Sequence, residues 1–112
     1  MTDGAVAAAR AYYRALDEHD YDALAALLAP GFVHDRPDLI LEGRGRFVAF
    51  MRDERPDTET SHELTNLYEA ETGVAAEGTL RRASGDMMFS FVDTFRFDGD
   101  VVRAVTTYTH SG

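Results

Sequence analysis

The sequence predicts an α+β fold in which three helices come first and an antiparallel meander follows, its curved sheet taking the helices on one face. Three observations lead there. The first half of the chain carries apolar residues at helical spacing, in segments bounded by capping and breaking residues. The second half carries four extended runs separated by turn signals. The last of these turns, Asp98-Gly99, joins two alternating runs into a hairpin, because the tight turn between paired strands needs positive φ and Asp-Gly supplies it.

Taken in order, Thr2 or Asp3 can cap a first helix running to about Asp17. Val6, Ala9, Tyr12 or Tyr13, and Leu16 fall on one face of it. The two tyrosines straddle that stripe, and whichever projects inward needs a partner for its hydroxyl. Asp20 caps a second helix, Tyr21 to about Leu28, with Leu24, Leu27 and Leu28 inward, and Pro30-Gly31 stops it. Phe32 to Arg36 reads as a short strand, after which Pro37 turns the chain into a loop carrying Leu39, Ile40 and Leu41. A third helix, Gly43 to Arg55, has Phe47, Phe50 and Met51 as its inner stripe and ends before Pro56. A polar link, Pro56 to Thr60, leads into strands at about Ser61–Glu71, Val74–Ala83, Met87–Phe97 and Val101–His110. Gly73, Ser84-Gly85 and Asp98-Gly99 mark the turns between them.

The closing hairpin holds the most informative residue. Side chains alternate across a strand, so Met87, Phe89, Phe91, Asp93, Phe95 and Phe97 share a face. Asp93 is a carboxylate among phenylalanines, which costs free energy unless it is paired, hydrogen-bonded or protonated. A two-residue turn at Asp98-Gly99 sets Asp93 beside Ala104, Phe91 by Thr106, Phe89 by Tyr108 and Met87 by His110. The turn at Ser84-Gly85 sets Asp93 beside Ala76 and Phe91 beside Gly78. Small neighbours on both sides of a buried acid describe the floor of a pocket, and such acids are candidates for function. The alternative is an acid satisfied by nearby backbone, and both readings stay open at this point.

Composition narrows the function classes. A chain of 112 residues fits one domain, residues 1–112. It has no cysteine, hence no disulfide framework and no thiolate chemistry. No apolar run can span a bilayer, and Ala5–Ala9 lacks the basic flank of a signal peptide, so a cytoplasmic protein is expected. The net charge is −9 and all 11 basic residues are arginine, which argues against nucleic acid or anionic membranes as partners. An acidic, lysine-free surface also suits a salt-rich, halophilic cytoplasm. The histidines and acids show no spacing suited to a metal, and no cofactor is implied. The outer face of the sheet, with Met88, Val92, Val101 and Val105 among threonines and arginines, is too apolar for a free surface, and a homodimer through it is expected.

The order of elements, with FVHDRPDLILEGRGRFVAFM in the middle and FVDTFRFDGDVVRAVTTY at the end, resembles the nuclear transport factor 2-like superfamily, in particular its SnoaL-like and ketosteroid isomerase-like groups. The resemblance spans nearly the whole chain. It implies a cone-shaped, cystatin-like roll with an apolar cavity at its open end. It also implies a small apolar, carbonyl-containing ligand and proton transfer on it as an isomerase, cyclase or dehydratase; a non-catalytic binding or protein-interaction member is the alternative. Carried over residue by residue, Tyr12 matches the isomerases' first-helix tyrosine, Asp35 in FVHDRP their base, and Asp93 their acid. In that scheme Asp35 shuttles the proton, while Tyr12 and a protonated Asp93 donate hydrogen bonds to the dienolate oxygen. Met51 replaces a supporting tyrosine. Phe47, Phe50, Met51, Phe89, Phe91, Ala104, Tyr108 and His110 would line the pocket, with His34 facing away. Related dehydratases pair a histidine with an aspartate, which a His110–Asp93 or His62–Asp35 pair would suit; the alternative, which base rates favour for each histidine, is a surface position.

Overall fold

The structure, a computed structural model, describes residues 2–110, with Thr2 and Asp3 described by their backbone alone. The cap expected from Thr2 or Asp3 therefore lies outside the described side chains. Helix α1 (Thr2–Asp17) leads to α2 (Tyr21–Ala26), whose N-cap Asp20 accepts from the Ala23 N–H at 3.2 Å. Strands β1 (Leu28–Asp35) and β2 (Ile40–Glu42) precede α3 (Arg44–Ala49) and the wider turn Phe50–Glu54 that continues it. The meander is β3 (Ser61–Ala70), β4 (Gly73–Arg81), β5 (Met87–Asp98) and β6 (Val101–His110). The sheet order is β2-β1-β6-β5-β4-β3, antiparallel except where β1 runs parallel to β6. Helix α1 lies against β3 and β4, and α3 against β1.

Three elements depart from the sequence expectation. The second helix stops at Ala26, and Leu28 already belongs to β1. Pro30 and Gly31 sit inside that strand, at the irregularity between Leu28 and Val33, where a proline's missing N–H breaks no ladder bond. The loop holding Leu39–Leu41 forms the short edge strand β2. The third helix begins at Arg44 and widens at Phe50, where the Arg55 N–H reaches five residues back to the Phe50 carbonyl at 2.9 Å.

The β4–β5 register places Ala76 opposite Asp93 and Gly78 opposite Phe91, as expected, but the hairpin does not close as a two-residue turn: the ladder shifts between Leu80 and Arg81, Arg81 pairs with Met87, and the unpaired Met88, expected on the outer face, lines the cavity. Gly78 is required there, since a Cβ would lie 2.4 Å from the Glu63 carbonyl oxygen. The β5–β6 register departs from expectation. The two loop residues are Gly99, at φ 63°, and Asp100, with Asp98 opposite Val101. Arg103 then forms a bulge, so Asp93 faces Thr107 rather than Ala104, and Phe91 faces Thr109 rather than Thr106. Beyond a bulge every side chain changes face. Val105, expected outside, is fully buried, while Tyr108 is exposed on the outer face.

The core sits where α1, α3 and the inner sheet face meet. Tyr12 packs edge-on against Phe95 at 5.1 Å between ring centres and stacks over Phe47 at 6.1 Å. Phe32 meets Phe47 at 4.8 Å. Away from this aromatic cluster the inner face stays open as a cavity. Among the described residues no helix is long and apolar enough to cross a membrane.

Candidate functional site: a cavity with an acid network and a histidine dyad

The cavity measures about 520 Å³, within the range of small-ligand sites. Leu16, Met51, Leu80, Met88, Phe89 and Phe91 supply its apolar wall. Into that wall β5 delivers Asp93, which is only 6% exposed. The Tyr13 hydroxyl donates to its Oδ2 at 2.6 Å, and the Thr107 hydroxyl to its Oδ1 at 2.5 Å. Thr107 has one proton and gives it to Asp93, so His34 must donate through Nε2–H to Thr107 Oγ1, at 2.8 Å. His34 Nδ1 is left with a lone pair and no hydrogen-bond partner among the described residues. Burial raises the Asp93 carboxyl above its ordinary value, despite the bonds from Thr107 and Tyr13 and the nearby His62 and Arg36. Burial also lowers His34, helped by Arg36, to about 3, so its ring is neutral at physiological pH.

A second group comes from the other end of α1. Asp17 is its last residue, where the helix dipole disfavours an acid. It is tied instead to β3: Oδ2 accepts from the His62 backbone N–H at 3.0 Å, and Oδ1 from its Nδ1–H at 2.6 Å. This fixes the tautomer of His62 and leaves Nε2 as a base. The His62 ring lines the cavity, 5.0 Å from Tyr13 and 5.7 Å from Phe91 between ring centres. At the rim, Arg36 and Asp38 form a two-point pair at 2.9 and 3.1 Å, and Arg55 lines the opening.

Of the residues singled out from sequence, Tyr12, Met51, Phe89, Phe91 and Asp93 line the cavity. Both tyrosines are buried, and it is Tyr13 that holds Asp93. Asp35 is not in the cavity. Parallel pairing sets His34 beside Val105 on the inner row and Asp35 beside Thr106 on the outer one, so Asp35 is exposed and His34 takes the inward place. Phe47 is fully buried in the core, and Phe50 packs beneath Arg36 and Arg46, at 5.4 and 5.8 Å. Ala104, Tyr108 and His110 lie outside the cavity because the Arg103 bulge turns Thr107 and Thr109 inward in their stead. The histidine pairings also change: His62 binds Asp17 rather than Asp35, and His110 is exposed opposite Ser90 rather than near Asp93. Asp17 was findable, as an acid at a helix C-terminus. Thr107 was not, since its place depends on the bulge. Among the described residues no three His, Asp or Glu side chains group as metal ligands.

A model of the SnoaL-like domain matches residues 9–105. No curated protein sequence matches the chain. Among solved structures it is similar to a candidate ketosteroid isomerase from Kribbella flavida, at 24% identity and TM-score 0.87, covering 99% of this chain and 81% of that one. It is similar too to a SnoaL-like protein of unknown function from Burkholderia thailandensis, at 20% identity and TM-score 0.82, covering 99% and 98% of the two chains. A candidate SnoaL-like polyketide cyclase from Jannaschia shares 15% identity at TM-score 0.80, covering 96% and 86%.

Proposed function

We propose that this chain, which belongs to the family of SnoaL-like domains in the nuclear transport factor 2-like superfamily, binds a small, largely apolar carbonyl compound and moves a proton on it without a cofactor. The observation that carries this reading is the meeting of an Asp17-held imidazole, His62, and a buried acid, Asp93, on one apolar cavity wall. His62 Nε2 takes a proton from the carbon next to the carbonyl, and Asp17 stabilises the imidazolium that results. The charge released moves onto the carbonyl oxygen, where Tyr12 and a protonated Asp93 donate hydrogen bonds. A protonated Asp93 keeps a lone pair on each oxygen for Tyr13 and Thr107, so its proton is free for the substrate. The imidazolium then returns the proton at another carbon or protonates a leaving group.

Two observations favour a second reading, a non-catalytic binding member: Asp35 lies outside the cavity, and Met51 stands where related isomerases have a tyrosine. Deuterium exchange into a panel of enolisable ketones, followed by NMR beside naphthol binding, separates the two. Exchange by the wild type that disappears in His62→Ala supports catalysis. Naphthol binding without exchange leaves the binding reading, and no binding by folded protein overturns both. The outer sheet face, where Tyr68 and Tyr108 are 54% and 58% exposed, supports a homodimer as well. Light scattering that gives a monomer mass at micromolar concentration would rule it out.

A further inference from the structure

We propose that Arg55 makes this a site for carbonyl compounds that also carry a carboxylate, such as oxo acids. The inference rests on the cavity reading above and names its substrate class.

Three positively charged or basic side chains line the cavity besides the buried, neutral His34: Arg36, His62 and Arg55. Arg36 has Asp38 and His62 has Asp17. Arg55 has no carboxylate within 4.0 Å among the described residues, although the chain carries 20 acids. The acids nearest to it in sequence are engaged elsewhere: Glu54 pairs with Arg46, Asp53 with Arg52, and Asp57 accepts from the Glu59 N–H at 2.9 Å. The guanidinium is held by one nitrogen only: Nη2 donates to the Leu16 carbonyl at 3.3 Å and to the Tyr21 hydroxyl at 3.0 Å. Nε is buried with no acceptor, and Nη1 has none among the described residues.

A partly buried cation with unused donors costs free energy that a protein lowers by supplying a carboxylate. Here the anchoring bonds fix the side chain while its charge and donors remain unmatched. With both Nη2 protons engaged, Nη1 remains to give a carboxylate a charge-assisted hydrogen bond alongside the guanidinium charge. The apolar wall of Met51, Phe89 and Phe91 takes the body of such a ligand, and the acid network takes its carbonyl. The backbone adds a positional reason. Arg55 closes the wide turn after α3, and Met51 and Arg55, from opposite ends of that turn, both line the cavity.

The test uses three fluorescent probes: naphthol, a hydroxynaphthoate and the methyl ester of that hydroxynaphthoate. The wild type is expected to bind the free carboxylate at least about tenfold tighter than its ester, the size of a charge-assisted hydrogen bond. In Arg55→Gln the ratio should fall to within about twofold, and Arg55→Lys, which keeps the charge but not the placed Nη1 donor, should fall between. The wild-type ratio stands alone as a test should either variant fail to fold. Equal binding of acid and ester by the wild type overturns the carboxylate assignment and leaves the cavity reading intact. Failure of all three probes to bind folded protein overturns the cavity reading and this inference with it.

Discussion

The two ionisable clusters of the cavity differ in what they leave unused. Around Asp93 both oxygens are already held, by Tyr13 and Thr107 with His34 behind Thr107, and only the acid's own proton is left for a ligand. His62 and Arg55 are open, since His62 is fixed by Asp17 through one nitrogen and presents the other, and Arg55 is fixed through Nη2 alone. The first cluster sets the position and charge of one acid. The open groups face whatever enters. Chemistry with a ligand is therefore expected to be most sensitive at His62 and Arg55, and the pH dependence of folding most sensitive at His34 behind Asp93.

The sharpest test of that contrast is kinetic. His62→Ala should lower ketone exchange by about a hundredfold to ten-thousandfold, the range for a removed general base. Asp17→Asn should lower it less, in the same direction, because the ring remains but is no longer oriented as before. A His62→Ala variant with undiminished exchange would place the base elsewhere. The next effect is on stability. His34 is lowered from 6.5 to about 3 in the folded protein, so between those values the unfolded chain binds the proton and the folded one does not. Stability from this group is present above about 6.5 and is lost as pH falls toward 3. His34→Gln keeps a donor for Thr107 and removes the titration. Urea unfolding should then show an acid limb flatter by on the order of 1–3 kcal/mol between neutral pH and pH 4. Identical limbs would mean that His34 is not held neutral. The smallest effect belongs to Asp35, exposed on the outer row. Asp35→Asn should stay within about 0.5 kcal/mol of wild type and leave exchange unchanged. A large loss of exchange in that variant would break the division between the two faces.

Sequence reading went furthest where local rules act alone. The α+β order, the cap at Asp20, the Ala76–Asp93 register and the burial of Asp93 all follow from periodicity and one turn. It fell short where a single irregularity changes the parity of a strand. Arg103 bulges from β6, and Thr107 and Thr109 thereby replace Tyr108 and His110 on the cavity wall. The pairing of β1 with β6 decides in the same way between His34 and Asp35. Neither event has a local signal: a bulge at an arginine and a parallel pairing across about seventy residues are settled by tertiary packing. Asp17–His62 is a third kind of case, visible as an acid at a helix end but assigned only once β3 is laid beside α1.

The bulge has a bearing on how related chains diverge. A residue that pairs with nothing can be lost or gained by a single codon event without disturbing the contacts on either side, so Thr107 would stay opposite Asp93 in a chain that lacked Arg103. Homologues are then best compared as two separate blocks, one up to Val102 and one from Ala104, with a gap allowed between them. Counting from the turn alone assigns the wrong row of side chains to the ligand in every relative that keeps this unpaired residue, and the right one in those that lack it.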